Sequence, residues 1–595
     1  MTYALAALIA LIILDALRMR GRLGALEALP PSDQAPSSQH RFIAAPGVEL
    51  DAATRRAASA WAERHGKDVV DLVPGDLPTI RAMGFAQIAD PPRVRRERLE
   101  SGRTAGHALL VRADLAERAG AGDPSDEVAM IKLAARLKLY APLTYDHVVA
   151  PAERAQPTVV SRRRASLRAI LGPATPIALA FQPMFWALMI AGVIARPILG
   201  AVAIGLWHLQ PLLAIAGTRI KPRDLLVVTI ARAPIELYLL LGTLFGRWSP
   251  PREDRVSALR PTYDALIRDE EQFWEPRRDD CPMCRSRALR VHLRVSDLMQ
   301  HKPGTFTLER CDDCDHIFQN PRLTIAGLDY YYKDFYDGLG EDGLEFMFGR
   351  GVDGYRARAR MVRAEARPRA WLDVGAGHGH FCLVARDELP ETRFDGLDLS
   401  ESIEEAHRRR WIDTAYRGLF PELAPELAGS YDALSMSHYL EHTLDPRAEL
   451  DAARTTLSPG GHLMIELPDP EFGLGRVLGR WWLPWFQPQH QHLLSTTNLD
   501  KLLREHGFTP IRWHRGAAHQ RVDFVFAAGL LLGRLAPPAD LPWRRGGAIA
   551  RARRAVVWSL GAPLLVAGFV ADRVAAPIIR RGRRSNTYRV LARRN

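Results

Sequence analysis

One stretch, WLDVGAGHGHFCLVARDELP at residues 371–390, constrains the fold of this chain more than any other. An apolar, strand-like run is followed by Gly375, Gly377 and Gly379, and then by the pattern of an amphipathic helix. Glycine allows the main chain to approach a ligand closely, and the first N–H groups of a helix are free to donate to it. The pattern predicts a strand, a tight turn and a helix that can hold a cofactor, although three alternating glycines alone are weakly specific.

Three later stretches repeat the order of an apolar strand followed by polar residues. They are FDGLDLS (394–400), which contains Asp398, YDALSMSHYLEHTLDP (431–446), and LSPGGHLMIELPDP (457–470). Strands that alternate with helices predict an α/β fold with a doubly wound, mainly parallel sheet, whose ligand lies beyond the carboxyl ends of the strands. Asp398 follows the glycine turn at about the distance at which nucleotide-binding folds place an acid on ribose hydroxyls.

Four of the five cysteines form two C-x-x-C pairs, Cys281 with Cys284 and Cys311 with Cys314. Four thiolates at this spacing predict a tetrahedral zinc ribbon over residues 277–325. Because thiolates fill all four positions, the expected zinc is structural rather than catalytic. Two disulfides or a redox-active pair remain the alternatives.

The motifs DVGAGHG, GLDLS, YDALSMSHYLEH and SPGGHLMIELP, in this order, resemble those of class I S-adenosylmethionine-dependent methyltransferases. The ribbon with FQNPR and the later QHQHLLSTTNLDKLLREHGF resemble a bacterial subgroup that often modifies sugars or envelope polysaccharide precursors. The resemblance covers about residues 277–520, and it implies a Rossmann-like, seven-stranded core at 326–520 and a closing strand at 583–595. The dehydrogenase alternative requires G-x-G-x-x-G, which this chain lacks.

The resemblance also implies a binding site for S-adenosylmethionine. The turn would hold the methionine part, Asp398 the ribose and Leu399 one face of the adenine, while Ser437 would border the sulfonium. The implied residues of the turn are Asp373, Gly375, Ala376, Gly377 and Gly379.

Methyl transfer is an in-line displacement in which a nearby base can remove the acceptor's proton. The candidates are His438 and Glu441, which follow the third strand, and His490 in the segment PQHQH. Histidine titrates near neutral pH and suits this role. Structural hydrogen bonding by the same side chains remains the alternative.

Apolar segments predict three regions in contact with a membrane. Residues 1–24 form an expected anchor, although Asp15 leaves a buried core helix as the alternative. Residues 171–248 are expected to form a membrane hairpin, broken near Arg196, and an interfacial helix. Residues 521–582 are an expected membrane-associated insert.

Residues 25–170 are mostly polar and are expected to form an α/β or mostly helical soluble domain. An anchor, a soluble region and an apolar cluster faintly resemble the layout of family 2 glycosyltransferases. Since the paired-aspartate motif of that family is missing, a degenerate or structural domain is expected. Residues 249–276 are expected to be a linker.

The net charge of the chain is +12, and it comes mainly from arginine runs that flank the apolar segments. This arrangement favours an anionic membrane surface over nucleic acid as the partner. We therefore expect an integral protein of the cell (inner) membrane, with its methyltransferase domain facing the cytoplasm and a glycan, a lipid-linked sugar or another envelope precursor as substrate. A catalytically inactive scaffold and a bifunctional protein with an active glycosyltransferase half are the alternatives, and the oligomeric state is left open.

Overall fold

A computed structural model describes residues 1–155, 163–172, 175–245, 251–333, 351–582 and 585–595. The chain forms two compact units, Met1–Ser249 and Pro250–Asn595.

The first unit begins with helix α1 (Thr2–Gly24) and contains a five-stranded mixed sheet. Its strands are β1 (Glu27–Ala28), β2 (His40–Ala44), β3 (Val69–Pro74), β4 (Ala108–Arg112) and β5 (Tyr145–Ala150), in the order β1-β5-β3-β4-β2. Its helices include α2 (Ala52–His65), α3 (Thr79–Ile88), α4 (Pro91–Arg96), α5 (Ala113–Arg118) and α6 (Glu127–Tyr140). The valine-rich β3 and β5 are buried along their whole length, as expected of strands covered on both faces. The region is therefore α/β, and the mostly helical alternative is wrong.

The apolar part of the first unit is helical. Its helices are α7 (Arg163–Leu171), α8 (Thr175–Ala195), α9 (Pro197–Ile215), α10 (Leu225–Ile230) and α11 (Arg232–Phe245). The expected break lies at Arg196, which precedes the first residue of α9. The ionisable residues in the apolar helices have partners: Gln210 donates to Asp15 at 3.0 Å, and Arg232 pairs with Glu236 at 2.7 Å.

The second unit begins with helix α12 (Pro251–Leu266), which is followed by a 3₁₀ segment, Ile267–Phe273. Tyr263 and Phe273 are buried against Tyr330 and Tyr331. The expected linker at 249–276 is thus helical over most of its length and packs into the second unit.

The ribbon contains three antiparallel strands, β6 (Leu289–Ser296), β7 (Thr305–Cys311) and β8 (Ile317–Gln319). Helix α13 (Ile325–Tyr332) follows them.

The core of the second unit is a seven-stranded sheet, as expected. The strands of this part of the chain are β9 (Ala370–Val374), β10 (Arg393–Asp398), β11 (Ala415–Arg417), β12 (Tyr431–Ser437), β13 (Leu457–Pro468), β14 (His492–Leu493), β15 (Phe508–His514) and β16 (Thr587–Arg594). The sheet order is β11-β10-β9-β12-β13-β16-β15, in which β16 is antiparallel to both neighbours and the first five strands are parallel. The direction of winding reverses between β9 and β12, so a ligand crevice is expected at their carboxyl ends. The remaining strand, β14, pairs with β8 and adds a fourth strand to the ribbon sheet.

Helices cover the sheet and form the insert before β16. They are α14 (Val352–Arg363), α15 (His380–Ala385), α16 (Ser402–Arg408), α17 (Phe420–Leu423), α18 (Pro446–Thr456), α19 (Gly473–Leu478), α20 (Thr496–Glu505), α21 (Asp523–Leu535) and α22 (Ala548–Arg581). The last two pack against each other. Among the described residues, α1, α9 and α22 are long and apolar enough to cross a membrane.

Candidate active site

The glycine turn lies between β9 and α15, as the sequence predicts. Gly375, Gly377 and Gly379 have φ angles of 74°, 52° and 73°, in the left-handed region that side-chain-bearing residues rarely adopt. A Cβ atom added to Gly377 would meet no atom within 4 Å, so the main chain here borders open space. A Cβ atom on Gly375 would lie 2.7 Å from the ring of Tyr439. The turn is therefore closed on one side by an aromatic ring and open on the other.

Asp398 lies at the end of β10 and binds this turn. Its Oδ2 accepts a hydrogen bond from the main-chain N–H of Gly377 at 2.8 Å. Its Oδ1 accepts from the N–H and the hydroxyl of Ser400, both at 2.9 Å. The next residue, Leu399, is 62% exposed, and Ala376 in the turn is partly exposed. The structure thus brings a fixed carboxylate and an exposed apolar side chain to the mouth of the turn, where the sequence places them.

Asp373 is buried in β9 beneath the turn. Its Oδ1 accepts a hydrogen bond from the Ser435 hydroxyl at 2.5 Å, and Ser435 lies directly opposite it in β12. Burial raises the pKa of Asp373 to about 7, although the hydrogen bond from Ser435 opposes this shift. The charge below the turn therefore changes near neutral pH.

Ser437 ends β12, the strand beside β9. Its hydroxyl oxygen is buried and has no hydrogen-bond partner among the residues that the structure describes. Because buried hydroxyls are almost always paired, this one is available to a ligand.

His438 follows Ser437 in a left-handed conformation with a φ angle of 52°. Its Nδ1 lies 3.1 Å from Glu441 Oε1, and its Nε2 lies 3.4 Å from Glu466 Oε1. Burial by itself lowers the pKa of His438, but hydrogen bonds to the two carboxylates outweigh it and raise the pKa to about 9. The two carboxylates therefore favour the protonated form of His438, whereas the amide nitrogen of Gln520, a hydrogen-bond donor 2.9 Å from His438 Nε2, favours a lone pair at that nitrogen. The role of His438 as a base stays a prediction.

Glu466, on β13, connects His438 to two buried arginines. Arg358 on α14 donates to Glu466 Oε1 at 2.5 Å, and Arg589 on β16 donates to Oε2. Burial raises the pKa of Glu466, but the two guanidinium groups outweigh it and hold this pKa well below its usual range. Sequence reasoning missed this network because its members come from segments that are about a hundred residues or more apart, and no local motif joins them.

The sequence-predicted residues Glu441 and His490 meet at the other side of His438, together with His442. Each of the three offers one ligand atom, and these atoms lie within 4.8 Å of one another. Glu441 is 1% exposed, and its Oε2 has no partner within the described part of the chain. A neighbouring histidine of the segment PQHQH, His492, lies instead in the ribbon sheet, with its Nδ1 at 3.2 Å from His316 Nε2.

The four ribbon cysteines also converge. Cys281 Sγ lies 3.6 Å from Cys314 Sγ, and Cys284 Sγ lies 3.5 Å from Cys311 Sγ. None of the four forms a disulfide in this structure. Sulfur atoms bound tetrahedrally to zinc at about 2.3 Å lie about 3.8 Å apart, which is close to these spacings. The thiolate set fits the ion that the sequence predicts.

Comparison with known proteins agrees with this geometry. A family model described as a methyltransferase domain matches residues 347–512. The ubiquinone biosynthesis O-methyltransferase of Marinobacter nauticus is 31% identical over 171 residues, which cover 27% of this chain and 71% of the relative. The Bordetella avium protein of the same name is 27% identical over 152 residues, which cover 23% of this chain and 61% of the relative.

Among solved structures, a SAM-dependent methyltransferase from Archaeoglobus fulgidus is 17% identical with a TM-score of 0.28, and the match covers 43% of this chain and 99% of that one. This chain spans less than two thirds of the length of several of the curated relatives that it matches.

Proposed function

This chain belongs to the class I S-adenosylmethionine-dependent methyltransferases, and we propose that it transfers the methyl group to an oxygen atom. We propose further that the acceptor is held by a membrane and is a lipid-linked sugar, a glycan or another envelope precursor. The names of the two relatives, both O-methyltransferases, support oxygen as the acceptor atom.

The residues of the turn provide the cofactor site in this proposal. Asp398, already fixed by the N–H of Gly377, has lone pairs left for the ribose hydroxyls, and Leu399 offers an apolar surface to the adenine. Asp373 lies below the methionine part of the cofactor, where its ionised form attracts the ammonium group. Ser437, whose hydroxyl is unpaired among the described residues, borders the sulfonium.

One observation supports a membrane-held acceptor most directly: the insert begins at the active site. The side-chain amide of Gln520 lies 2.9 Å from Nε2 of His438, three residues before helix α21 begins at Asp523. Asp523 accepts hydrogen bonds from Trp482 Nε1 at 3.0 Å and from Asn586 Nδ2 at 3.2 Å. The root of the insert is thus fixed against the site.

The surface of the insert suits an anionic bilayer. On α22, Leu560, Val574 and Ile578 are 78%, 67% and 72% exposed, which is costly in water over a whole helix face. Exposed arginines lie near both ends of this helix, at Arg551 and Arg580. Apolar side chains flanked by basic groups are typical of a helix that contacts lipid headgroups and acyl chains.

The geometry suggests how the residues divide the chemistry. Binding of the enzyme to the surface that holds the acceptor raises the effective concentration of both. The ring nitrogens of His438 orient Glu441 and Glu466, while the free lone pairs of Glu441 and His490 can take the proton of the acceptor hydroxyl. The cofactor site then needs only to align the methyl group with that oxygen.

The cysteine ribbon is proposed to hold one structural zinc ion. Its role is to fix β6, β7 and β8, the last of which pairs with β14 near the site. We expect one zinc per purified chain by elemental mass spectrometry, and we expect its loss, with loss of cooperative unfolding, on Cys311→Ser. Full folding of this variant without zinc would overturn this role.

The proposed acceptor is tested by transfer of a labelled methyl group from S-adenosylmethionine to lipid extracts of bacterial envelopes. Full-length protein is reconstituted in vesicles that contain anionic lipid, and products are separated into lipid and water-soluble fractions. We expect label in the lipid fraction, and a large loss of it on Leu560→Asp together with Val574→Asp, while cofactor affinity remains unchanged.

Equal or faster methylation of a soluble acceptor without vesicles would contradict the membrane-held substrate. Absence of cofactor binding would favour an inactive scaffold instead. Binding of a nucleotide sugar by the first unit would support the bifunctional alternative.

A further inference from the structure

We propose that Glu441, His442 and His490 form a binding site for one divalent transition-metal ion. This site is separate from the cysteine ribbon. The inference goes beyond the proposed function, because it requires neither the cofactor nor a particular methyl acceptor.

The first support is the buried, incompletely paired carboxylate of Glu441. Its Oε1 is 3.1 Å from Nδ1 of His438, whereas Oε2 is buried and has no partner among the described residues. Glu441 is 1% exposed, so solvent does not replace that partner. An ionised oxygen left in this way costs free energy unless a cation or a donor approaches it.

The second support is the orientation of His490. Its Nδ1 lies 2.8 Å from the main-chain oxygen of Pro484. A carbonyl oxygen can only accept, so Nδ1 carries the hydrogen and donates it. In the neutral ring, Nε2 then has a free lone pair and no hydrogen to offer to Glu441.

His442 has a similar arrangement. Its Nδ1 is 3.1 Å from the main-chain oxygen of Gln489 and 2.5 Å from the hydroxyl oxygen of Tyr332, and the tautomer with its hydrogen on Nδ1 donates to these oxygens and leaves a lone pair on Nε2. The ring centroids of His442 and His490 are 4.6 Å apart, and the rings are nearly perpendicular. Metal-binding histidines usually donate from the nitrogen that does not bind the ion; His490 does so here, and so does the Nδ1–H tautomer of His442.

The three side chains therefore present lone pairs to a common point. Their ligand atoms lie within 4.8 Å of one another, and atoms bound to one ion at about 2.1 Å lie at most about 4.2 Å apart, so a shift of under about 1 Å closes the set. A bound cation removes the repulsion among three acceptors that the fold has placed together.

The ligand types select the class of ion. Two imidazoles and one carboxylate suit zinc, manganese, iron or cobalt, whereas magnesium and calcium prefer oxygen ligands. Three protein ligands leave positions open, in contrast to the four thiolates of the ribbon. A bound cation would occupy the lone pairs of Glu441 and His490 that the proposed function otherwise assigns to proton removal. It would instead bind the acceptor oxygen and lower the pKa of its hydroxyl.

Manganese(II) is the probe, because it binds nitrogen and oxygen ligands and competes poorly for four thiolates. Full-length protein with its native zinc content is titrated with Mn²⁺ and followed by electron paramagnetic resonance. We expect one bound Mn²⁺ per chain. We also expect nitrogen couplings from histidine in the electron spin echo modulation of the unmodified protein, a result that depends on no variant.

Variants then assign the ligands. His490→Asn keeps a donor for Pro484 but removes Nε2, and Glu441→Gln keeps the side-chain shape but removes the charge; each is expected to weaken Mn²⁺ binding at least 10-fold. His492→Asn is the matched control, because this neighbouring buried histidine faces His316 and lies outside the site, and its affinity is expected to be unchanged. Absence of Mn²⁺ binding, absence of nitrogen couplings, or equal weakening by the control would each overturn the proposal.

Discussion

The two sheets of this protein belong to the same fold class, but their buried carboxylates differ in how completely they are hydrogen bonded. In the five-stranded sheet, Asp71 on β3 accepts hydrogen bonds on both oxygens, from the Thr104 hydroxyl at 2.6 Å and the N–H of Ala105 at 2.9 Å. Asp146 on β5 is paired with Arg95 and Lys67. Within the described part of the first unit, no buried carboxylate oxygen lacks a partner.

In the seven-stranded unit, buried carboxylate oxygens without a partner among the described residues do occur, namely Asp395 Oδ1 on β10 and Glu441 Oε2 after β12. Ser437 Oγ and Glu441 Oε2 are buried without partners among the described residues, and Gly377 faces open space two residues after the neighbouring turn begins. An α/β sheet therefore does not by itself indicate a site; unpartnered buried acceptors beside an open glycine turn do so.

The largest effect is expected from a matched pair of Asp→Asn changes. Both oxygens of Asp398 accept from N–H or O–H donors, as do both oxygens of Asp71, so an amide disturbs the two sites similarly. Asp398→Asn is expected to weaken S-adenosylmethionine binding about 30-fold, because a charged acceptor for the ribose is lost. Asp71→Asn should leave the affinity unchanged. Isothermal titration calorimetry measures both affinities. An equal loss of cofactor affinity in the two variants would show that Asp398 is not part of the cofactor site.

A smaller effect is expected from two glycines that share a conformation. Gly377 and Gly66 have φ angles of 52° and 58°, and a Cβ atom on either would meet nothing within 4 Å. Replacement of either glycine by alanine is expected to cost about 1 kcal/mol of folding free energy, because alanine is strained at a positive φ angle. Gly377→Ala is expected to weaken cofactor binding about 10-fold, because its methyl group enters the cofactor space, whereas Gly66→Ala affects thermal stability alone. Unchanged cofactor affinity in Gly377→Ala would show that the cofactor lies elsewhere.

A further prediction concerns the pH dependence of cofactor binding and two buried acids with similar pKa values. Burial raises the pKa of both Asp373 and Asp71 to about 7. An acid whose pKa is raised in the folded state stabilises the fold at pH values below that pKa, where it is protonated. Above that pKa the acid is ionised, and its negative charge favours binding of the cationic cofactor. Affinity is therefore expected to rise about 5-fold from pH 6 to 8, with this slope lost in Asp373→Asn and kept in Asp71→Asn. A slope that follows Asp71 would reverse the assignment of the cofactor site.

The smallest effect is expected at the root of the insert. Gln520→Ala removes the amide that lies 2.9 Å from His438, while the two carboxylates that hold this ring remain. We expect kcat to fall about 3-fold with no change in cofactor affinity. A change in affinity without a change in kcat would place Gln520 in the cofactor site rather than beside the acceptor.

The parts of the site that sequence predicts are the parts that local chemistry determines. The turn from Asp373 to Gly379 and the acid at Asp398 depend on neighbouring residues, so their order along the chain was enough to place them. The state of His438 was not predictable, because Glu466 and Gln520 reach it from 28 and 82 residues away along the chain. Its identity as histidine suggested a base, whereas the two carboxylates raise its pKa and favour the protonated form.

The parts of the fold that sequence missed lack local signals. Strand β14 has only two residues, and its partner β8 lies more than a hundred residues earlier in the chain. The five-stranded sheet of the first unit carries no motif, and its helical stretches, such as α2, are more conspicuous than its short strands. These strands form because of tertiary pairing with distant segments, and the local periodicity of the sequence does not reveal them.

The most direct test is photochemical attachment of labelled S-adenosylmethionine to the full-length protein, followed by peptide mapping. Label is expected in the peptides that contain residues 371–400 and 431–442, with none in residues 25–155, and Asp398→Asn should need a higher cofactor concentration to reach the same labelling. Label confined to the first unit, or no specific label at saturating cofactor, would contradict the central claim that the unsatisfied edge of the seven-stranded sheet holds the methyl donor.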